Sequence, residues 1–317
     1  MSSEKYYDAL SGGDHLTKTS VKNIAASVRQ RLLNKSRSEA RPFQELVQYY
    51  AMERFLYRLS QSKHANRFIL KGALLLKIWQ TPEVRPTMDI DLLGKTNNDL
   101  SLIVSNITDI LSVDIDPDGL SFFPENITAE HITEDAEYKG IRIWFPAKID
   151  TMKLNMQIDI GFGDIIYPGP EKSEIPAMLE FPAPLLICYS RESLISEKFE
   201  AMLKLRELNS RLKDFYDIWL LSRYFGFEGT ILAEAIRLTL EQRGTELPDK
   251  ITAFSQEFIA TKQTQWYAFW KKLKQDHVPT EFENIIMQVK KFISPIATAL
   301  TLRKPPPSKW SAPGPWV

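Results

Sequence analysis

Two aspartates lie one residue apart in the stretch RPTMDIDLLG, which runs from Arg85 to Gly94 and otherwise reads as a short apolar strand. Side chains alternate between the two faces of a strand, so Asp89 and Asp91 are predicted to share one face. Neighbouring carboxylates repel each other and raise the pKa of one of them, whereas a divalent cation such as Mg²⁺ favours such oxygen ligands. The spacing favours a metal site, and the alternative is a solvated strand face.

A third carboxylate is predicted on a neighbouring strand. In KLNMQIDIGFGD, apolar and polar residues alternate from Lys153 to Gly161, and Asp159 lies on the polar face. We expect that face to point toward Asp89 and Asp91. Three carboxylates on adjacent strands predict a two-metal site, in which ions about 3.5–4 Å apart hold the attacking and leaving oxygens of a phosphoryl transfer.

The segment LKGALLL precedes the aspartate pair and suits a phosphate site. Gly72 permits close backbone approach, and the helix predicted after it offers free N–H groups at its start. Lys71 adds a positive charge. The motif is short, so its weight comes from its position ahead of Asp89 and Asp91.

Two helices predicted after Ser190 carry the charged clusters EKFEA and RLKDFYD. Lys198 belongs to the first cluster. In the second, Lys213 and Asp217 are four residues apart and are predicted to pair across one turn, while Asp214 shares a flank with Asp217. The alternative is an ordinary helix surface, on which each such ion pair contributes about 0.3–0.5 kcal/mol.

Hydrophobic periodicity predicts the scaffold that positions these residues. Helices are predicted over 19–37, 42–60 and 98–111, strands over 87–93, 141–145 and 153–161, a proline-rich crossing segment over 168–184, and helices beyond 193. This order predicts an α+β fold, with N-terminal helices, a mixed sheet and a helical C-terminal half. The predicted domains are 1–185 and 186–305, followed by a loosely ordered Pro-rich tail at 306–317.

The composition limits the classes of function. The 317 residues have a formal net charge of zero, one cysteine and four histidines, which excludes an internal disulfide and a Cys/His metal cluster. The polar N-terminus does not read as a signal peptide, and we find no apolar run long enough to span a bilayer. We therefore expect a cytoplasmic protein that has no membrane partner.

Five segments, in this order, resemble the AbiEii/AbiGii toxin family, which contains the MenT toxins. They are LKGALLLKIW, RPTMDIDLLG, QIDIGFGD, SEKFEAM and RLKDFYDIW. That family belongs to the DNA polymerase β-like nucleotidyltransferase superfamily. The resemblance covers roughly Val21 to Phe225, and it implies that 1–185 is the nucleotidyltransferase domain and that 186–305 completes the active site.

The resemblance also implies roles for individual residues. The family's glycine and D-x-D motifs fall on Gly72, Ala73, Asp89 and Asp91, its lysine on Lys198, and its last aspartate on Asp214, with Asp217 one turn later. We expect Asp89, Asp91 and Asp159 to bind Mg²⁺ and, with Lys198 and Asp214, to form the catalytic set. Lys71, Gly72, Ala73, Lys198 and Asp217 are expected to contact the nucleotide, although Ala73 lacks the hydroxyl that many relatives carry there.

The function that the resemblance implies is Mg²⁺-dependent transfer of a nucleotide from an NTP to an RNA 3′ end. The expected acceptor is the tRNA acceptor stem, whose modification blocks translation, and the expected partner is a cognate antitoxin. Two alternatives stay open. The acceptor could be a protein hydroxyl or a small molecule, or the chain could be a catalytically inactive nucleotide-binding regulator.

The helical half offers candidates for acceptor binding. The basic ones are Arg206, Arg211, Arg223, Lys271, Lys272, Lys290 and Lys291. Trp266, Tyr267 and Trp270 could stack on bases, but aromatic residues at this helical spacing are more often part of a core.

Overall fold

The computed structural model describes residues 23–82, 85–135 and 138–317 of the chain. Helix α1 spans Ile24–Ser38, and the Asn23 side chain caps it by accepting the Ala26 N–H at 3.0 Å. Asparagine suits this position because its carbonyl supplies the partner that a first-turn N–H lacks. The predicted start of this helix at residue 19 lies outside the described residues.

The remaining elements follow the predicted order. The first half contains α2 (Phe43–Gln61), β1 (Phe68–Lys71), α3 (Leu74–Ile78), β2 (Ile90–Gly94), α4 (Leu100–Leu111), β3 (Leu120–Phe122), β4 (Thr128–Asp135), β5 (Tyr138–Ile149), β6 (Met152–Phe162), β7 (Glu171–Glu174) and β8 (Leu185–Cys188). The second half contains α5 (Arg191–Leu205), α6 (Leu212–Tyr224), β9 (Phe227–Glu228), α7 (Gly229–Gln242), α8 (Gln256–Leu273), α9 (Phe282–Leu302) and β10 (Lys309–Trp310). The α+β class is therefore confirmed.

An eight-stranded sheet forms the centre of the first half. Its order is β3-β5-β6-β2-β1-β8-β7, and β4 also pairs with β5. The pairs β2–β6 and β1–β8 are parallel, whereas β1–β2 and β5–β6 are antiparallel, so the sheet is mixed as predicted. Strand β6 confirms the predicted alternation, since one face is buried beneath α2: Leu154, Met156, Ile158 and Ile160.

Strand β2 begins at Ile90, three residues later than the prediction of Thr87. Met88 is 51% exposed and Asp89 precedes the strand, so only Asp91 of the aspartate pair lies within regular β structure. The apolar composition of the stretch therefore predicted the start of the strand too early.

The helical half has a core of its own. The Ser190 hydroxyl accepts the Ser193 N–H at 3.2 Å and caps α5. Trp266 is fully buried, and its Nε1–H donates to the Pro279 carbonyl at 3.0 Å, which confirms the core interpretation of that residue. The boundary at 185/186 stays a prediction.

The C-terminal tail is packed, so the prediction of a loosely ordered tail is wrong. β10 pairs with β9, and the fully buried Trp310 donates from Nε1 to the Ser222 carbonyl at 2.6 Å. Trp316 stacks on Phe292 with ring centroids 5.6 Å apart. Two indole rings supply enough apolar area to hold a proline-rich segment that has little regular structure.

Helix α9 contradicts the expectation that no apolar run is long enough to span a bilayer. By length and composition it could cross a membrane, and it is the one helix of the described residues that meets this test. Its buried residues belong to the core of the helical half: Phe282, Ile285, Ile286, Val289, Phe292, Ile293 and Ile296. The interior helix of a globular domain has this composition.

Candidate active site

The register of the sheet aligns four charged residues in one row. Lys71 on β1 lies opposite Asp91 on β2, Asp91 lies opposite Asp159 on β6, and Asp159 lies opposite Arg142 on β5. Residues at paired positions of adjacent strands project to the same face. Two carboxylates therefore lie between Lys71 and Arg142, and Glu130 on β4 lies opposite Arg142 and extends the row.

Asp89 completes an acidic cluster from the residue before β2. Carboxylate oxygens of Asp89, Asp91 and Asp159 lie within 4.8 Å of one another, and all three side chains are half-buried. The Thr87 hydroxyl donates to Asp89 Oδ1 at 2.5 Å and fixes that side chain. The predicted convergence of the three carboxylates is confirmed.

Gly72 provides the space that this cluster needs. Its φ of +75° is in the left-handed region, and a Cβ at this position would lie 2.0 Å from Asp91 Oδ2. Only glycine combines that backbone conformation with that contact. The following helix α3 has five residues, and the N–H groups of Leu75 and Leu76 already donate to the carbonyls of Gly72 and Ala73. The observed role of Gly72 is thus to admit the Asp91 carboxylate.

The cluster concentrates negative charge in a poorly solvated position. Burial and the adjacent charge of Asp89 raise the pKa of Asp91 to about 7. A cation at this point offsets the repulsion and favours the ionised form. The three oxygens are close enough for one divalent ion to contact them all, so the residues fit a Mg²⁺ site.

Arg142 binds the third carboxylate in a bidentate pair. Its Nε and Nη2 donate to Asp159 Oδ1 and Oδ2, each at 2.7 Å. The Gln157 amide also donates to Asp159, at 3.2 and 3.4 Å. A divalent ion bound here would share Asp159 with Arg142 or displace it.

Lys71 is held in a network between the two halves. Its ammonium donates to Asp164 at 2.8 Å and to Glu197 at 3.1 Å, and the Tyr189 hydroxyl donates to Glu197 at 2.9 Å. Burial opposes its charge, but Glu197 and Asp164 hold the pKa of Lys71 well above its usual value. Lys71 is thus a fixed cation, and its charge lowers the pKa of Asp91.

The helical half adds a buried ion-pair cluster. Lys198 Nζ lies 2.6 Å from Asp214 and 2.8 Å from Asp217, and Arg85 donates to both oxygens of Asp217 at 2.8 and 2.9 Å. Burial works against the charge, yet Arg85 and Lys198 lower the pKa of Asp217. The structure thus brings Lys198, Asp214 and Asp217 together. The predicted pairing of Asp217 with Lys213 is wrong, because Asp217 is buried against Arg85 and Lys198 while Lys213 is exposed.

Three cations near the acidic cluster were not predicted to belong to the site. Lys213 is exposed at the start of α6, and its charge lowers the pKa of Asp91. Arg142 alternates with buried residues along IRIWF, so period-two patterning could have placed it on the polar face. Arg85 opens the stretch RPTMDIDLLG, but no local pattern indicates its partner, which lies 132 residues away.

The expected acceptor-binding residues of the helical half are mostly on the surface. Arg211 is half-buried and the others are exposed: Arg206, Arg223, Lys271, Lys272, Lys290 and Lys291. Tyr267 is 44% exposed and stacks on Trp270, with ring centroids 5.6 Å apart. These two aromatic residues stay candidates for base stacking.

The mixed sheet presents clustered carboxylates beside a glycine turn, with lysines from a following helical region, and this arrangement suits phosphoryl transfer. Residues 54–288 match the sequence profile of the family described as "Nucleotidyl transferase AbiEii toxin, Type IV TA system". The match covers more than half of the chain, so the chain belongs to this family. It is a nucleotidyltransferase of a toxin–antitoxin system, and the family implies a nucleotide substrate and an antitoxin partner.

Two solved structures from Helicobacter pylori also match. One, a protein provisionally named a nucleotidyltransferase, is 14% identical, and the match covers 83% of this chain and 98% of that one with a TM-score of 0.45. The other, JHP933, is 14% identical, with 82% and 94% covered and a TM-score of 0.48. No curated protein matches the sequence.

Proposed function

We propose that the chain transfers a nucleoside monophosphate from an NTP to the 3′ end of an RNA. The proposed acceptor is the tRNA acceptor end, and its modification would block translation in the cytoplasm until the antitoxin restrains the enzyme. The observation that carries the proposal is the convergence of Asp89, Asp91 and Asp159 within 4.8 Å, next to the turn at Gly72. Acidic clusters of this kind suit the chemistry of phosphoryl transfer.

Each residue has a proposed part in the reaction. Asp89, Asp91 and Asp159 hold Mg²⁺, which when bound neutralises triphosphate charge. Asp159 orients the acceptor hydroxyl and accepts its proton, the hydroxyl oxygen bonds to the α-phosphorus, and the bond to the β-phosphate breaks as pyrophosphate leaves. Lys198 and Lys213 stabilise the charge of that leaving group.

The remaining predicted residues have supporting parts in this proposal. Lys71 supplies fixed positive charge at one end of the cross-strand row, and Asp214 with Asp217 positions Lys198. Gly72 and Ala73 carry the backbone that passes closest to the nucleotide. We propose these as nucleotide-binding roles on the strength of that arrangement and the resemblance of the motifs.

The test is transfer of label from α-³²P NTPs to RNA by the purified protein. Asp91→Ala is expected to abolish labelling, because it removes the central carboxylate, while circular dichroism stays unchanged. Asp116→Asn, on an exposed loop aspartate, is the matched control and is expected to keep full activity. Labelling that persists in Asp91→Ala would show that the site is wrongly assigned.

The alternatives are separated by the acceptor that is labelled. Incubation with a mixture of RNA, proteins and small hydroxylated compounds distinguishes an RNA 3′ end from a protein hydroxyl or a small molecule. An inactive nucleotide-binding regulator would bind Mg²⁺·NTP without labelling anything. RNA as the principal labelled product is the expected result.

A further inference from the structure

An indole ring lies on the polar face of the sheet, next to the acidic cluster. Trp144 on β5 lies opposite Gln157 on β6, and its Nε1–H donates to Gln157 Oε1 at 3.1 Å. The Gln157 amide group in turn donates to Asp159 at 3.2 Å. A single glutamine therefore fixes the position of the indole relative to a carboxylate of the active site.

Arg142 joins the same group from the other side. Its guanidinium carbon lies 6.0 Å from the centre of the Trp144 ring, and its nitrogens hold Asp159 at 2.7 Å. Residues 142 and 144 are two apart on one strand, which separates them by roughly 6.8 Å. One extended nucleotide spans that distance. The indole, the guanidinium and the carboxylate thus form a continuous surface.

The core does not require a tryptophan here. The adjacent residues of β5, Ile143 and Phe145, are fully or almost fully buried on the opposite face, while Trp144 is half-buried. Neighbouring side chains on its own face are exposed and polar: Thr128, Glu130 and Asn155. Among these described neighbours Trp144 is an isolated aromatic ring, so they form no apolar patch of the kind that binds another protein. The Trp144 indole does provide a π surface of the kind on which a base stacks. The Arg142 guanidinium beside it is a group that binds phosphate.

We propose that this surface, formed by Arg142, Trp144 and Gln157, holds the terminal nucleotide of a single-stranded RNA 3′ end. The base stacks on Trp144, Arg142 contacts its phosphate, and the 3′-hydroxyl is thereby directed toward Asp159. The proposal rests on the proposed function, in which RNA is the acceptor. It places recognition of that acceptor on the sheet rather than on the helical half.

The experiment compares Trp144→Ala and Trp144→Phe with the wild-type protein. Trp144→Ala is expected to raise the KM for RNA about ten-fold with little change in kcat, because a stacking partner is lost. Trp144→Phe should retain most of the affinity, since a phenyl ring still stacks. Binding of Mg²⁺ and a non-hydrolysable NTP, measured by titration calorimetry, should be unchanged in both. Tyr224→Ala, at an exposed aromatic residue of α6, is the matched control.

A second measurement needs no variant. An RNA with 4-thiouridine at its 3′ terminus is cross-linked to the wild-type protein, and the labelled peptide is mapped. Cross-linking to residues of β5 or β6 is expected. Cross-linking to α8, where Tyr267 and Trp270 stack, together with an unchanged KM in Trp144→Ala, would overturn the inference but leave the proposed function intact. Absence of RNA labelling by the wild-type protein would instead overturn both.

Discussion

At the scale of single residues, the acidic cluster is arranged for binding rather than for stability. Asp91 carries a pKa of about 7 because burial and Asp89 disfavour its charge. Between roughly pH 4 and pH 7 the unfolded chain loses this proton while the folded chain keeps it. The contribution of Asp91 to folding therefore becomes less favourable as pH rises through this window, and it is constant above it.

The first consequence is a pH-dependent stabilisation by Mg²⁺. A divalent ion binds the ionised carboxylate, so below pH 7 its binding must displace the Asp91 proton. The rise in melting temperature on adding MgCl₂ is expected to increase from pH 6 to pH 8 and then level off. Differential scanning fluorimetry, with EDTA as the reference, measures it. Asp91→Asn should show a small shift that does not vary with pH, and an equal shift at every pH in the wild-type protein would contradict the prediction.

At the scale of elements, the turn between β1 and α3 decides whether Asp91 reaches its position. The close approach of the Asp91 carboxylate to Gly72 excludes any side chain there. Patterning of the sequence could identify this turn and the alternation of β6, because both depend on residues close in the chain. It placed the start of β2 too early, since pairing with β1 and β6 sets where that strand begins.

The second prediction tests this turn with Gly72→Ala. A Cβ 2.0 Å from Asp91 Oδ2 must displace the carboxylate, so transfer activity is expected to fall by at least ten-fold. Gly244→Ala is the matched control, because Gly244 also has a left-handed φ, of +60°, but no atom lies within 4 Å of its added Cβ. Both variants should lose about 1–2 kcal/mol of unfolding free energy from backbone strain, measured in urea. Only Gly72→Ala should lose activity; equal activity in the two variants would show that the contact with Asp91 is unimportant.

At the scale of the whole molecule, the site is built from both halves of the chain. The sheet supplies the carboxylates, and α5 and α6 supply Lys198 and Lys213. Buried ion pairs join the two parts, and they connect residues more than a hundred positions apart, such as Arg85 with Asp217 and Lys71 with Glu197. The sequence predicted Lys71 and Asp217 as site residues, but it did not reveal their partners Glu197 and Arg85.

The last prediction concerns the strength of this connection. Asp217 is fully buried and contacts two cations, Arg85 and Lys198, which are themselves largely buried. Asp217→Asn removes the carboxylate that Arg85 pairs with and leaves Lys198 paired with Asp214. Removing one partner of a buried pair typically costs about 3–5 kcal/mol. Glu241→Gln removes a partner of Arg237 at the exposed surface, where solvent screens the pair, and should cost much less. Urea unfolding followed by tryptophan fluorescence compares the two. Similar losses in both variants would mean that the halves are held together by apolar contacts, with the buried ion pairs adding little.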